Sequence, residues 1–189
     1  MHNKIIKISF IIFILTSFLL TGCGTSSSTV ATGPTKEKAA TPPEWFAIKM
    51  TDVQTGKTFT INNFAGKVVL IQTMAQWCPT CASQQIEVDK MYKLLGNPND
   101  LISITMDVDL NEDEASLKKY AAFLGFDWYY AVAPLEVARA LGNLYSAEYL
   151  NPPLSPMLII DRAGNAHQLD YGVKNAETLR KIVGPYLSK

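Results

Sequence analysis

The chain has 189 residues, with 17 basic and 17 acidic side chains, 48% apolar residues, three cysteines and two histidines. A balanced charge argues against nucleic acid as a partner, which would call for a basic patch. Cys23, Cys78, Cys81, His2 and His167 are too few and too scattered for a closed zinc cage of cysteine and histidine, because only one CxxC exists.

The chain opens with Lys4 and Lys7, followed by an almost wholly apolar run over residues 8–20 and the small-residue stretch Thr21-Gly22-Cys23-Gly24. This is the layout of a secretory signal, and the run is shorter than the ~20 residues that a membrane-spanning helix needs. Leu20-Thr21-Gly22-Cys23 resembles the lipobox of bacterial lipoproteins, which implies cleavage after residue 22 and lipidation of Cys23. Residues 24–43 are rich in Ser, Thr, Ala and Pro, contain no aromatic residue, and predict a flexible tether spanning ~25 Å. The expected organisation is therefore a signal peptide over 1–22, a lipidated cysteine and tether over 23–43, and one compact domain over 44–189. Loss of Lys4 and Lys7 leaves 15 basic against 17 acidic side chains.

Within the domain, residues 45–50 and 58–61 flank a turn with Gly56 and predict a short hairpin. Residues 67–74 form a continuous β-branched run, the mark of a strand buried on both faces. From Pro79 the spacing becomes helical, with Cys81, Gln84, Val88, Met91 and Leu95 on one face, and Gly96 and Pro98 end that helix. Residues 101–109 predict a second buried strand. Asn111 is placed to cap the next helix, with Glu114 in the capping-box position and Leu117, Tyr120, Ala121 and Leu124 as its stripe before Gly125. A third strand is expected over 127–133 and a short helix over 135–141, stopped by Gly142. A hairpin follows, of residues 157–161 and 166–171. Last comes a helix capped by Asn175 with Leu179, Ile182, Val183 and Tyr186 inward. This alternation of strands and helices predicts an α/β fold with a central mixed sheet flanked by helices and an N-terminal β-hairpin extension.

Cys78 and Cys81 stand two positions apart in the stretch Ala75-Gln76-Trp77-Cys78-Pro79-Thr80-Cys81. Cys78 falls at the start of the predicted helix, where free N–H groups and the helix dipole stabilise a thiolate and lower its pKa, making it the attacking sulfur. Cys81, one turn further in, is placed to resolve the mixed disulfide that Cys78 forms with a substrate. Pro79 suits the first helical turn, since its missing N–H would be unpaired there.

A strand, WCxxC at a helix start, and a distant Ser155-Pro156 before another strand resemble the thioredoxin fold. The stretch 65–71, Met106-Asp107-Val108-Asp109 and residues 158–165 bring the chain closer to the membrane-anchored, TlpA/ResA-like bacterial thiol-disulfide oxidoreductases. The resemblance implies reduction of disulfides in exported proteins, such as apocytochromes c, with electrons from a membrane-bound thiol donor and no cofactor or metal. It places the protein on the outer face of the bacterial membrane through Cys23. It also implies a substrate groove lined by Trp77, Pro79, Thr80, Ser155 and Pro156, with Pro156 cis and facing the disulfide.

Relatives commonly keep a buried carboxylate near the resolving cysteine, where this chain has Gln72 and Gln84; Glu87 sits too far round the helix to replace it. His167 reads as a surface residue on the terminal hairpin, the strand-end pair Asp107 and Asp109 as structural, and Met74 and Met157 as packing beside the site. Two alternatives stay open: a copper chaperone of the Sco type, using two thiolates and His167, and a peroxiredoxin-like thiol peroxidase, although the Pro-x-x-x-Thr-x-x-Cys pattern is missing before Cys78.

Overall fold

The computed structural model describes residues 41–188. The expected signal segment, Cys23 and nearly all of the tether lie outside the described residues. Among those described, no helix is long and apolar enough to cross a membrane.

A short antiparallel hairpin pairs β1 (Met50–Thr51) with β2 (Thr58–Phe59). The main sheet contains β3 (Val68–Met74), β4 (Leu101–Asp107), β5 (Tyr129–Val132), β6 (Met157–Ile160) and β7 (Ala166–Gln168), in the order β5-β4-β3-β6-β7. β4 runs parallel to β3 and to β5, whereas β6 is antiparallel to β3 and to β7. All seven residues of β3 are buried, as the apolar run Val68–Ile71 leads one to expect of a central strand, and the polar Gln72 and Thr73 are buried with them. The free edge of β5 is blunted by the hairpin: Val53 N–H donates to the Tyr130 carbonyl at 2.8 Å, and Gln54 Nε2 donates to the Trp128 carbonyl at 2.5 Å.

Helices α1 (Pro79–Leu94), α2 (Glu114–Leu124), α3 (Leu135–Leu144) and α4 (Ala176–Leu187) cover the two faces. Alternation along β3 divides the core. Val68 and Leu70 pack with Val88 and Met91 of α1 and with Leu179 and Val183 of α4. Val69 and Ile71 turn the other way, toward Val137 and Leu141 of α3 and the buried Trp45 and Phe46.

Several boundaries differ from expectation for local reasons. Residues Glu44–Ala47 form a 3-10 turn where a strand was expected, because Trp45 and Phe46 are adjacent and both buried, which a strand with one covered face cannot achieve. The cap of α2 is Asp113, whose carboxylate accepts from Ser116 N–H at 2.8 Å in a reciprocal capping box; Asn111 instead donates to Asp109. The strands are shorter than expected at their C-terminal ends, β4 stopping at Asp107 and β7 at Gln168. Helix α3 runs through Gly142 to Leu144. A Cβ at Gly142 would come within 3.2 Å of Leu150 Cδ1, so this glycine serves close packing and does not end the helix.

Candidate active site

Cys78 and Cys81 are joined by a disulfide, with Cα atoms 5.3 Å apart. The sequence produces this arrangement by ending β3 at Met74 and starting α1 at Pro79, so that Cys78 becomes the N-cap residue, with φ −88° and ψ 107°. Its sulfur occupies the position of a capping oxygen and accepts from Cys81 N–H at 3.2 Å. Thr80 Oγ1 lies 3.2 Å from the same sulfur. A reduced Cys78 therefore has a backbone N–H and the positive end of α1 to hold negative charge on sulfur.

Cys81 faces a different environment. It is fully buried among Met74, Ala75, Val53, Leu117, Ala121 and Tyr130, and its sulfur lies 3.2 Å from the Pro152 carbonyl oxygen. When reduced, a thiol here has that carbonyl as acceptor, which favours the protonated form. The pair is thus divided into a sulfur that accepts a backbone N–H at the start of α1 and a sulfur facing an acceptor.

Pro152 and Pro153, in the 3-10 turn Pro152–Leu154, are what this segment brings to the cysteines, with Thr80 Oγ1 also donating to the Pro153 carbonyl at 3.2 Å. Ser155 and Pro156 are buried behind them. Ser155 N–H donates to the Pro152 carbonyl at 2.8 Å, and the Pro156 carbonyl accepts from Thr73 N–H at 3.3 Å. No peptide bond among the described residues is cis, which corrects the expectation for Pro156. The physical reason is that the chain turns one residue earlier, at Ser155, which takes the left-handed conformation with φ 47° and ψ 56°. Trp77 is 59% exposed beside the disulfide, and Pro79 occupies the first position of α1.

The loop before Cys78 is tied by four hydrogen bonds to the end of β4, the loop after it and the first turn of α2. Gln76 N–H donates to Glu112 at 2.7 Å, and its side-chain amide donates to Asp107 at 3.0 Å and to Ser116 Oγ at 3.1 Å. Trp77 Nε1 donates to Asp109 at 2.7 Å. Burial, with the neighbouring Glu112 acting in the same direction, pushes the Asp107 carboxyl up to about 7, while the Trp77 indole helps hold Asp109 below the usual range. Gln76 and Glu112 do not stand out in the sequence; the signal for them is the acid-rich stretch Asp107 to Glu114, which follows the strand laid parallel to the one before the WCxxC.

The two glutamines also have definite work. Gln72 Nε2 donates to the Cys81 carbonyl at 3.1 Å, and Gln84 both donates to and accepts from the Lys174 backbone, tying the segment before α4 to α1. Glu87 accepts from Ala176 N–H at 2.8 Å and pairs with Lys90, so it faces α4. His167 sits on β7, 2.8 Å from Asp161. Met74 packs with the cysteines, and Met157 lies in the core under α1 and α4. Among the described residues, no group of three or more His, Cys, Asp or Glu is arranged to hold a metal ion.

A family model described as Redoxin matches residues 37–183. Solved structures share the fold at low identity. A thiol:disulfide interchange protein of the thioredoxin family from Chlorobium tepidum TLS is 22% identical, with TM-score 0.64, covering 78% of this chain and 98% of the other. A DsbF homologue from Corynebacterium diphtheriae is 14% identical, with TM-score 0.58, covering 73% and 83%. A secreted Mycobacterium tuberculosis disulfide oxidoreductase, described as homologous to Escherichia coli DsbE, is 14% identical, with TM-score 0.55, covering 75% and 98%. No curated protein matches the sequence significantly.

Proposed function

The chain belongs to the Redoxin family and carries the CxxC pair of a thiol-disulfide oxidoreductase on a thioredoxin-like fold; from this premise we propose that it is an exported, lipid-anchored reductase of protein disulfides. The observation that carries the proposal is the N-cap disulfide, with Cys78 facing a backbone N–H at the start of α1 and Cys81 facing the Pro152 carbonyl. In the reduced protein, the Cys78 thiolate attacks one sulfur of a substrate disulfide. That S–S bond breaks, a mixed disulfide forms and the first substrate sulfur leaves as thiolate. Cys81 then loses its proton and attacks Cys78, releasing the second substrate sulfur and closing the Cys78–Cys81 disulfide. Two electrons have passed to the substrate, whose thiolates take up protons from solvent, and a thiol donor resets the pair.

The finer assignment rests on sequence features. The apolar run and Leu20-Thr21-Gly22-Cys23 support export and anchoring on the outer face of the membrane through Cys23. The TlpA/ResA-like pattern supports a membrane-bound thiol donor and substrates such as apocytochrome c.

The test is the reduction potential of the Cys78–Cys81 couple in the full chain, measured by equilibration in thiol buffers with mass-spectrometric readout. A value near or below thioredoxin's, about −270 mV, is expected of a reductase; a value near about −120 mV makes the protein a disulfide donor instead. In parallel, Cys81→Ser should accumulate a mixed disulfide through Cys78 and turn over at least about a thousandfold more slowly than the native chain, because no resolving sulfur remains. Inability of the native pair to cycle between dithiol and disulfide overturns the proposal.

A further inference from the structure

The disulfide itself offers almost nothing for a partner to hold, since Cys78 is 1% exposed and Cys81 fully buried. Beside it lies a groove of about 290 Å³ between the loop after β4 and the turns before β6, with Trp77 and Pro152 at the end nearest the cysteines and Asp109, Leu110 and Leu150 along it. Leu110 is 80% exposed and Leu150 45% exposed. Three large apolar side chains thus converge on one open groove, at a position where a reacting polypeptide has to approach.

Among the lining residues the charged one is Asp109, which also accepts from the Trp77 indole and from Asn111, and the stretches that supply the walls carry one sign of charge. Residues 108–114 contain Asp109, Glu112, Asp113 and Glu114, residues 147–155 contain Glu148, and neither stretch contains a lysine or arginine. A bare acidic cluster would only repel anions. Here it borders an apolar trough continuous with the reacting disulfide, and the two features together select a partner.

Building on the oxidoreductase reading above, we infer that this groove seats an extended segment of the substrate polypeptide that carries a large apolar side chain and a lysine or arginine beside its disulfide-bonded cysteine. The apolar side chain packs between Trp77, Leu110 and Leu150, and the cation faces Asp109 and the acidic stretch around it. Burial of a leucine-sized group is the larger contribution, while the exposed charges act mainly on encounter and weaken with salt.

The experiment uses the full chain, reduced and purified in detergent, with three disulfides as probes: a peptide with Leu-Lys beside its disulfide-bonded cysteine, the same peptide with Ser-Glu there, and 2-hydroxyethyl disulfide. Oxidation of the protein is followed by tryptophan fluorescence, and the peptide rates are expressed relative to 2-hydroxyethyl disulfide. The Leu-Lys peptide should react at least about tenfold faster than the Ser-Glu peptide. The double substitution Leu110→Ala, Leu150→Ala should remove most of that preference, and raising salt should remove only a minor part. Equal rates for the two peptides with the native chain, or an undiminished preference in the double variant, overturn the groove assignment while the oxidoreductase reading stands. Failure to reduce any of the three probes overturns both.

Discussion

The start of β3 and the loop that follows its end are held in place by different forces. Where β3 begins, Val68 and Leu70 meet Val88, Met91, Leu179 and Val183, an apolar cluster that needs no partner for its side chains. Where β3 ends, the chain leaves the sheet through Ala75 and Gln76, and its neighbours are Asp107, Glu112, Asp109 and Ser116, joined by hydrogen bonds. The Thr73 and Ser155 hydroxyls and Gln72 Oε1 are buried near this end without a partner among the described residues. Apolar packing is non-directional and supplies stability; hydrogen bonds between buried polar groups add less net stability and fix geometry. The first region holds the fold together, and the second orients Trp77 and Cys78 for exchange.

This contrast is broken most severely by Leu179→Ala. The side chain is fully buried between α4 and the sheet, so truncation should cost about 2–5 kcal/mol in urea unfolding. The reduction potential of the Cys78–Cys81 couple should stay at its native value, because no group in that cluster touches either sulfur. A shift in potential comparable to the loss in stability would show that the two regions are not separable.

Asp107→Asn tests the other region with a smaller effect. The native Asp107 takes up its proton at about 7, against ~3.9 in an unfolded chain. Between these values the folded protein binds more protons than the unfolded one, so Asp107 makes stability fall as pH rises through that window. Asparagine retains an oxygen to accept from Gln76 but cannot ionise. Urea midpoints at pH 5 and pH 8 should differ by less in the variant than in the native chain, with on the order of 2 kcal/mol of the native difference removed. An unchanged pH dependence would mean that Asp107 carries its charge at neutral pH without penalty.

The division between regions also explains what could be read from the sequence. The apolar run of β3, the helical spacing from Pro79, the Asn175 cap and the Gly125 stop each depend on near neighbours in sequence, and all appear in the fold. The CxxC at a helix start is likewise local. Contacts that close the site are not: Gln76 meets Glu112 across 36 residues, and Cys81 meets Pro152 across 71. Expecting Pro156 to face the disulfide put the turn in the correct segment, but which of its three prolines approaches depends on the backbone at Ser155, and no residue pattern specifies that conformation. The acidic stretch near residue 110 was visible as composition, and its role as the anchor of the WCxxC loop became visible only when β4 was laid beside β3.

Gly142 shows the same separation on the smallest scale. Read alone, a glycine near the end of a helical pattern signals a stop, yet α3 continues past it because Leu150 packs against the space its missing side chain leaves. Gly142→Ala has two opposed consequences. Alanine is better than glycine in a helix interior by about 0.8–1.0 kcal/mol, while the new methyl would stand 3.2 Å from the flexible end of Leu150 and push it outward by a few tenths of an ångström. Stability should therefore change by less than about 1 kcal/mol, with helix preference offsetting the contact. Leu150, however, lines the groove beside Trp77. The rate with the Leu-Lys peptide should change by about twofold, an energy of ~0.4 kcal/mol, while that with 2-hydroxyethyl disulfide should not. A variant that alters both rates alike would place the effect on the cysteines themselves, and one that alters neither would show that Leu150 adjusts without cost to the groove.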